Sequence, residues 1–393
     1  MKKPHHDFAD RTAHLEPEGA YEVLAKAQQL EAAGREIIHL EIGQPDFQTY
    51  PNIGMAGIRA IAAGETRYTP SAGIPALKKA IADNTGRRIG MEISPAQVVV
   101  GPGAKPLLFF PMMALLEPGD EVIYPDPGFP SYRAIIETMG ATPVPIALKE
   151  EKDFSFDMAE FSEKVNDCTR LIIINAPSNP TGGIIPAADL EAIAAAAKKH
   201  DCWVLSDDIY TRLVYTDEPV KSILTFPGMA ERTIIMDGFS KTYAMTGWRL
   251  GYGVMPEKLA DVVGLLHTHS VGCTASFTQL AGIEALSGDQ EQVARVRAVF
   301  LARRELIVKG LNDIPGITCR KPAGAFYVFP NVTSFGLSSK EMANYLLEKA
   351  GVALLPGTSF GPMGEGYLRL TFTNSTVAIE KALELIKEAL SKL

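Results

Sequence analysis

Six short apolar runs punctuate the first two-thirds of the chain, at residues 97–100, 121–124, 171–175, 203–206, 233–237 and 250–254. Several are apolar without alternation, the pattern of strands covered on both faces of a parallel sheet. Longer amphipathic stretches at 106–116, 186–200 and 256–269 lie between them and predict helices. Strand–helix alternation predicts an α/β sheet with right-handed crossovers. From about residue 290 the pattern changes. A helical stretch at 290–311 leads into short strand-like pieces at 325–329 and 367–372, with further helices at 338–349 and 375–390. This segment reads as a smaller α+β unit. A helix over 17–33 is also predicted, but the pattern does not place it in the fold.

In open α/β sheets, ligands bind beyond the carboxyl ends of the strands. The residues following each apolar run therefore carry the chemistry. After Val100 comes Gly101-Pro102-Gly103-Ala104-Lys105-Pro106, a glycine turn opening a helix. Such a turn presents free N–H groups and the positive end of the helix dipole, which suits a phosphate. Pro106 fits the first helical position, where its missing N–H costs nothing. The next runs end in Asn175-Ala176-Pro177-Ser178-Asn179-Pro180-Thr181-Gly182, in Asp207 with Tyr210, and in Ser240-Lys241-Thr242. Taken singly, these are an ordinary turn, a helix-capping aspartate and a solvated lysine. Taken in order at one sheet edge, they are the set a pyridoxal phosphate enzyme needs: a lysine for the Schiff base and an acid for the pyridine nitrogen.

Composition narrows the partners. The chain has 393 residues, 46% hydrophobic and 21% charged, with 38 basic against 46 acidic residues and a net charge of −8. That acidity argues against nucleic acid, which requires clustered positive charge. The longest apolar run, 106–116, is well short of the roughly 18 residues a membrane helix needs. The leader has no apolar stretch behind Lys2, Lys3, His5 and His6, so a secretory signal is not expected. Cys168, Cys202, Cys273 and Cys319 stand at least 34 residues apart, without metal-ligand spacing. A cytoplasmic protein without a metal is expected.

Across nearly its whole length the sequence resembles the class I/II aminotransferases, fold type I pyridoxal phosphate enzymes. The resemblance rests on Ile42-Gly43-Gln44-Pro45-Asp46-Phe47, Arg67-Tyr68-Thr69-Pro70-Ser71-Ala72-Gly73, the Asn-Pro-Thr-Gly turn and Ser206 to Tyr210. It continues through Ser240-Lys241-Thr242 into Met245-Thr246-Gly247-Trp248-Arg249-Leu250-Gly251. Ala323-Gly324-Ala325-Phe326-Tyr327, Leu355-Pro356-Gly357-Thr358-Ser359-Phe360 and Leu368-Arg369-Leu370 complete it. The resemblance implies a mainly parallel seven-stranded sheet in a large domain at 46–295. A small C-terminal domain at 296–393 would be joined by an N-terminal arm at 1–45.

It also implies roles. Lys241 would be the Schiff-base lysine and proton carrier, with Asp207 on the pyridine nitrogen and Asn179 and Tyr210 on the phenolic oxygen. Phe129 would stack on the ring. Gly103, Ala104, Lys105, Ser240 and Arg249 would receive the phosphate, and Tyr68 would reach the phosphate of a neighbouring subunit in a homodimer. Arg369 would clamp the substrate α-carboxylate with two parallel hydrogen bonds, close to the backbone of Gly43 and to Asn179.

Two positions depart from many relatives. Phe129 stands for a tryptophan or tyrosine, and Gly238 for a serine. The expected reaction is ping-pong transfer of an amino group between an L-amino acid and a 2-oxo acid, with aspartate or glutamate and 2-oxoglutarate as lead substrates. In one aspartate-specific branch a lysine at the position of Lys105 meets the distal carboxylate. The hydroxyl residues of that branch's Pro-Ser-x-Thr segment are replaced here by Pro17-Glu18-Gly19-Ala20. Broad, neutral or aromatic amino-acid transamination and a C–S β-lyase on the same fold are the alternatives. A cofactor-sensing regulator is the least favoured, because fewer than 20 residues precede the first matching helix.

Overall fold

The computed structural model describes residues 8–13, 15, 17–217 and 220–393; the basic leader at 1–7 lies outside them. Twelve strands run in chain order: β1 Ile38–His39, β2 Val98–Gly101, β3 Glu121–Asp126, β4 Thr142–Ala147, β5 Thr169–Asn175, β6 Trp203–Asp207, β7 Thr233–Gly238, β8 Gly251–Val254, β9 Tyr327–Val328, β10 Val352–Ala353, β11 Leu355–Pro356 and β12 Leu368–Thr371. Helices α1 Gly19–Ala32, α2 Pro51–Ala62, α3 Pro75–Ile89, α4 Pro106–Leu115, α5 Ser131–Thr138 and α6 Met158–Lys164 precede α7 Ala187–Lys199, α8 Glu257–Thr268, α9 Ser276–Ser287, α10 Glu291–Asn312, α11 Ser339–Ala350 and α12 Thr376–Leu390.

Strands β2 to β8 form one seven-stranded sheet, in the order β2-β8-β7-β6-β5-β3-β4. All pairs are parallel except those of β8, which runs antiparallel to both β2 and β7. The continuous apolar runs are explained by packing on both faces. In β5, Leu171 and Ile173 join the core that contains Leu107, Leu108, Leu259 and Val263 of α4 and α8. Their neighbours Ile172 and Ile174 point the other way, into the core with Leu190 and Ile193 of α7. Each such side chain contributes about 1.5–3 kcal/mol by leaving water. Strand β4 escapes the sequence pattern because Pro143 and Pro145 interrupt it; as the last strand of the order, it leaves an edge unpaired, where proline is tolerated.

The strand-like pieces near the C-terminus shrink to short strands. β11, β12 and β9 make a three-stranded antiparallel sheet, and β1 pairs in parallel with β10. Helix α1, which the periodicity could not place, packs against β10 and β11.

Candidate active site

Because β8 is antiparallel, its beginning lies at the same sheet edge as the ends of β2, β5, β6 and β7. Five segments therefore discharge into one place: the 103–105 turn, Asn179, Asp207 with Tyr210, Ser240 with Lys241, and Arg249 just ahead of β8. A cavity of about 690 Å³ opens there. Eleven of the thirteen residues picked out from the sequence line it: Gly43, Ala104, Lys105, Phe129, Asn179, Asp207, Tyr210, Ser240, Lys241, Arg249 and Arg369.

The other two do not. Gly103 stands behind Arg249, in a left-handed conformation at φ +95°, where a Cβ would run into the guanidinium. Its N–H is donated to the Gly101 carbonyl (2.8 Å), so the amides of Ala104 and Lys105, just ahead of α4, are the ones that can face an anion. Tyr68 is 98% exposed and outside the cavity.

Asp207 is buried, 4% exposed, at the end of β6. Its carboxylate accepts from the Tyr132 hydroxyl (2.6 Å) and from the Ile209 amide (3.2 Å). The Asn175 side chain ties this point to β5, donating to the Asp207 carbonyl (2.9 Å) and accepting from the Asn179 amide (2.8 Å). Burial pushes the Asp207 carboxyl up to about 7, against the hydrogen bonds from Tyr132 and Ile209, which favour the charged form. The neighbouring buried aspartates each have a cation. Asp208 pairs with Arg88 (3.0 Å) and Asp237 with Arg212 (2.7 Å), whereas no basic side chain among the described residues pairs with Asp207. A buried carboxylate with an open cavity and no cation fits a protonated ring nitrogen.

Lys241 donates from Nζ to the Gly43 carbonyl (2.6 Å). Burial, followed by the nearby charges of Arg369 and Arg249, pulls its ammonium down to about 8. An amine of this kind is available as a nucleophile and base near neutral pH. Arg249 adopts a positive φ of 54° and donates to the Thr246 carbonyl (2.9 Å), which turns its guanidinium over the start of α4. Gly251 permits this close approach, since a Cβ there would overlap the 103–104 peptide.

Arg369, on β12, brings the smaller sheet to the cavity. One Nη donates to Asn179 Oδ1 (3.1 Å), the other to the Glu41 carbonyl, while buried Nε has no partner in the protein. Its guanidinium lies 4.4 Å from the centroid of the Tyr327 ring and 4.8 Å from that of Phe360. Tyr327 also shares a 2.8 Å hydrogen bond with Tyr210. Gly43 must be glycine, because a Cβ would overlap the Tyr327 hydroxyl. Gly238 ends β7 and does not line the cavity; Ser240 does. Phe129 lines the cavity and lies 5.2 Å (ring centroid) from the Lys105 ammonium.

Sequence reasoning did not assign Tyr132, Tyr327 or Asn175. The Asn175 signal was present, one residue before the end-of-strand turn. The two tyrosines act through contacts that no local motif announces.

Residues 35–386 match the family model for class I and II aminotransferases. The chain is 40% identical over 385 residues to an aspartate aminotransferase of Pyrococcus horikoshii, covering 98% of this chain and 97% of that one. Its structure matches the aromatic aminotransferase of Pyrococcus horikoshii OT3 with a TM-score of 0.89 at 36% identity, over 94% of this chain and 99% of that one. It matches the Thermus thermophilus aspartate aminotransferase with maleate with a TM-score of 0.93 at 33% identity, over 98% of this chain and 100% of that one. The architecture is thus that of the fold type I pyridoxal phosphate enzymes. This chain belongs to the class I and II aminotransferase family and is a pyridoxal phosphate-dependent transaminase.

Proposed function

We propose that this transaminase moves the amino group of L-aspartate to 2-oxoglutarate, giving L-glutamate and the keto acid of aspartate, in two half-reactions at the Lys241 cavity. The observation that carries this reading is the pair of cations left in the cavity once Lys241 and Arg249 are given to the cofactor: Arg369, buried beside Asn179, and Lys105 at the start of α4. Two cations suit a substrate with two carboxylates. The aspartate aminotransferases among the relatives support the same choice.

When bound, pyridoxal phosphate supplies an electron-withdrawing ring that takes up the electron pair released as the substrate Cα–H bond breaks. Lys241 Nζ attaches the group and, once displaced by substrate, carries the proton away from Cα and returns it during transfer. The Asp207 carboxylate holds the ring nitrogen protonated, and Tyr132 holds Asp207. Asn179 Oδ1 is engaged by Arg369, which leaves its Nδ2 to donate to the phenolic oxygen together with the Tyr210 hydroxyl. The backbone amides of Ala104 and Lys105, with Ser240 and Arg249, would hold the phosphate, Gly103 allowing Arg249 to approach. Phe129 covers one face of the ring. Arg369 grips the α-carboxylate, with Gly43 leaving room for it.

A homodimer in the cytoplasm completes this reading. Tyr68 and the exposed apolar residues Met55, Ile58 and Ile61 of α2 support a second copy, with Tyr68 reaching its phosphate. The four cysteines are free, and no described helix is long and apolar enough to cross a membrane. The proposed domains, 46–295 and 296–393 with 1–45, are supported by the pairing of β1 with β10 and by a large sheet confined to residues 98–254.

The test is turnover of aspartate, alanine and phenylalanine against 2-oxoglutarate. Aspartate should give the highest kcat/KM, and near-zero aspartate turnover would sink the substrate assignment. Light scattering of the purified chain tests the dimer.

A further inference from the structure

Glu18 stands immediately before α1 and does not cap it: the helix start receives no side-chain hydrogen bond from Glu18. The carboxylate turns instead into the cavity, where Oε1 pairs with the Lys105 ammonium and accepts from Ser131 Oγ (3.4 Å). Its side chain is 28% exposed and that of Lys105 54%. Gly19 lies so close to Ser359 that a Cβ would strike its hydroxyl, so the start of α1 packs against the 357–360 turn. Lys105 is therefore held by Glu18 on one side and lies over the Phe129 ring on the other.

We infer that Glu18 is a specificity-determining residue that neutralises the far end of the substrate pocket by occupying Lys105. The inference rests on the reading that Lys105 meets a distal carboxylate. A dicarboxylic substrate must displace Glu18 from the ammonium and tolerate its negative charge nearby. An amino acid with an uncharged side chain binds without disturbing the pair. Glu18 thus moves the enzyme away from strict dicarboxylate preference and admits neutral side chains to a site that still contains its lysine. Like charges brought together cost what opposite charges gain, and both effects are screened by salt at this half-exposed position.

The test uses the cofactor-loaded enzyme and two readouts. One is KM for aspartate, 2-oxoglutarate, alanine and phenylalanine; the other is equilibrium binding of maleate, a dicarboxylate that cannot react. E18Q keeps the shape and removes the charge. It should lower KM for both dicarboxylates and tighten maleate about threefold to fivefold, the range of a half-exposed ion pair. Alanine and phenylalanine KM should be unchanged. The gain should vanish in E18Q/K105M, because the lysine is then no longer there to be freed. E18S, which restores a helix-capping side chain, guards against a local folding effect of the glutamine.

Unchanged dicarboxylate KM and maleate affinity in both E18Q and E18S would overturn the inference while leaving aspartate turnover, and the proposed function, intact. An equal gain with and without Lys105 would also overturn it. Aspartate turnover absent from wild type but restored by E18Q would support Glu18 and overturn the aspartate assignment. Absence from wild type and both variants would overturn the two together.

Discussion

Tyr132 donates a 2.6 Å hydrogen bond to Asp207; both groups are buried, Asp207 lining the cavity and Tyr132 standing behind it. Asp207 has no cation among the described residues, so this hydroxyl and the Ile209 amide are what hold its carboxylate oriented before the cofactor arrives. Tyr132→Phe removes the hydroxyl and keeps the ring. A hydrogen bond to a charged group contributes about 1.5–3 kcal/mol, so pyridoxal phosphate should dissociate roughly tenfold to a hundredfold more readily. Titration of the apoprotein with cofactor measures this directly.

Burial opposes the usual charge states of both Asp207 and Lys241, and the apoprotein should show it. A carboxyl raised to about 7 keeps its proton longer in the folded than in the unfolded chain. Folded stability therefore falls as pH rises from about 4 to about 7, and the loss is complete above that. Lys241, lowered to about 8, gives up its proton earlier when folded, so its penalty is full below that pH and fades as pH rises toward about 10. Both penalties coincide between pH 7 and 8. Asp207→Asn should raise the apoprotein Tm by a few degrees at pH 7.5 and leave it unchanged near pH 4. A scan without cofactor at the two pH values decides it. Equal shifts at both would show that Asp207 is not the titrating group.

Arg369 is buried between Tyr327 and Phe360, and Asn179 is its nearest polar side chain. Arg369→Lys keeps a charge but loses the two-pronged donor, and an ammonium cannot reproduce that planar fork. The variant should lose about tenfold to a hundredfold in kcat/KM for every amino acid tested, aspartate and alanine alike. Selective loss for one side-chain class would place Arg369 at the distal end instead.

Gly43→Ala sets a methyl group against the Tyr327 hydroxyl, which is shared with Tyr210. The tyrosine must move or the 42–44 backbone must retreat from Lys241, whose Nζ it accepts. An overpacked contact of this kind costs about 1–3 kcal/mol. We expect amino-acid KM to rise more than cofactor affinity falls, because the displaced Tyr327 ring packs directly on Arg369. Parallel measurement of the two constants checks it.

Much of this site could be read along the chain because parallel strands deliver their carboxyl ends to one edge. Asn179, Asp207 and Lys241 each follow an apolar run, and the order of those runs is the order of the motifs. Arg249 was legible only through the resemblance: it reaches the same edge because β8 runs antiparallel, a pairing that its apolar pattern does not encode. Strand β4 was invisible because edge position, not composition, makes its prolines tolerable. Tyr132 and Tyr327 act across 75 and 117 residues of sequence, on Asp207 and Tyr210 respectively, and carry no local signature. Glu18 stood out as a lost hydroxyl, but its pairing with Lys105, 87 residues away, exists only in the folded chain.

The central claim is that Lys241 holds the cofactor and moves the proton. The direct test is the absorbance spectrum of the loaded enzyme before and after L-glutamate is added without a keto acid, in wild type and in Lys241→Ala. Wild type should be yellow, and glutamate alone should replace that band with the band of the amine form of the cofactor. The variant should fold, bind cofactor without a borohydride-reducible link to the chain, and lose at least about a thousandfold in turnover, the scale of a positioned acid–base group together with the covalent attachment. A yellow, reducible and fully active Lys241→Ala protein would contradict the account at its centre.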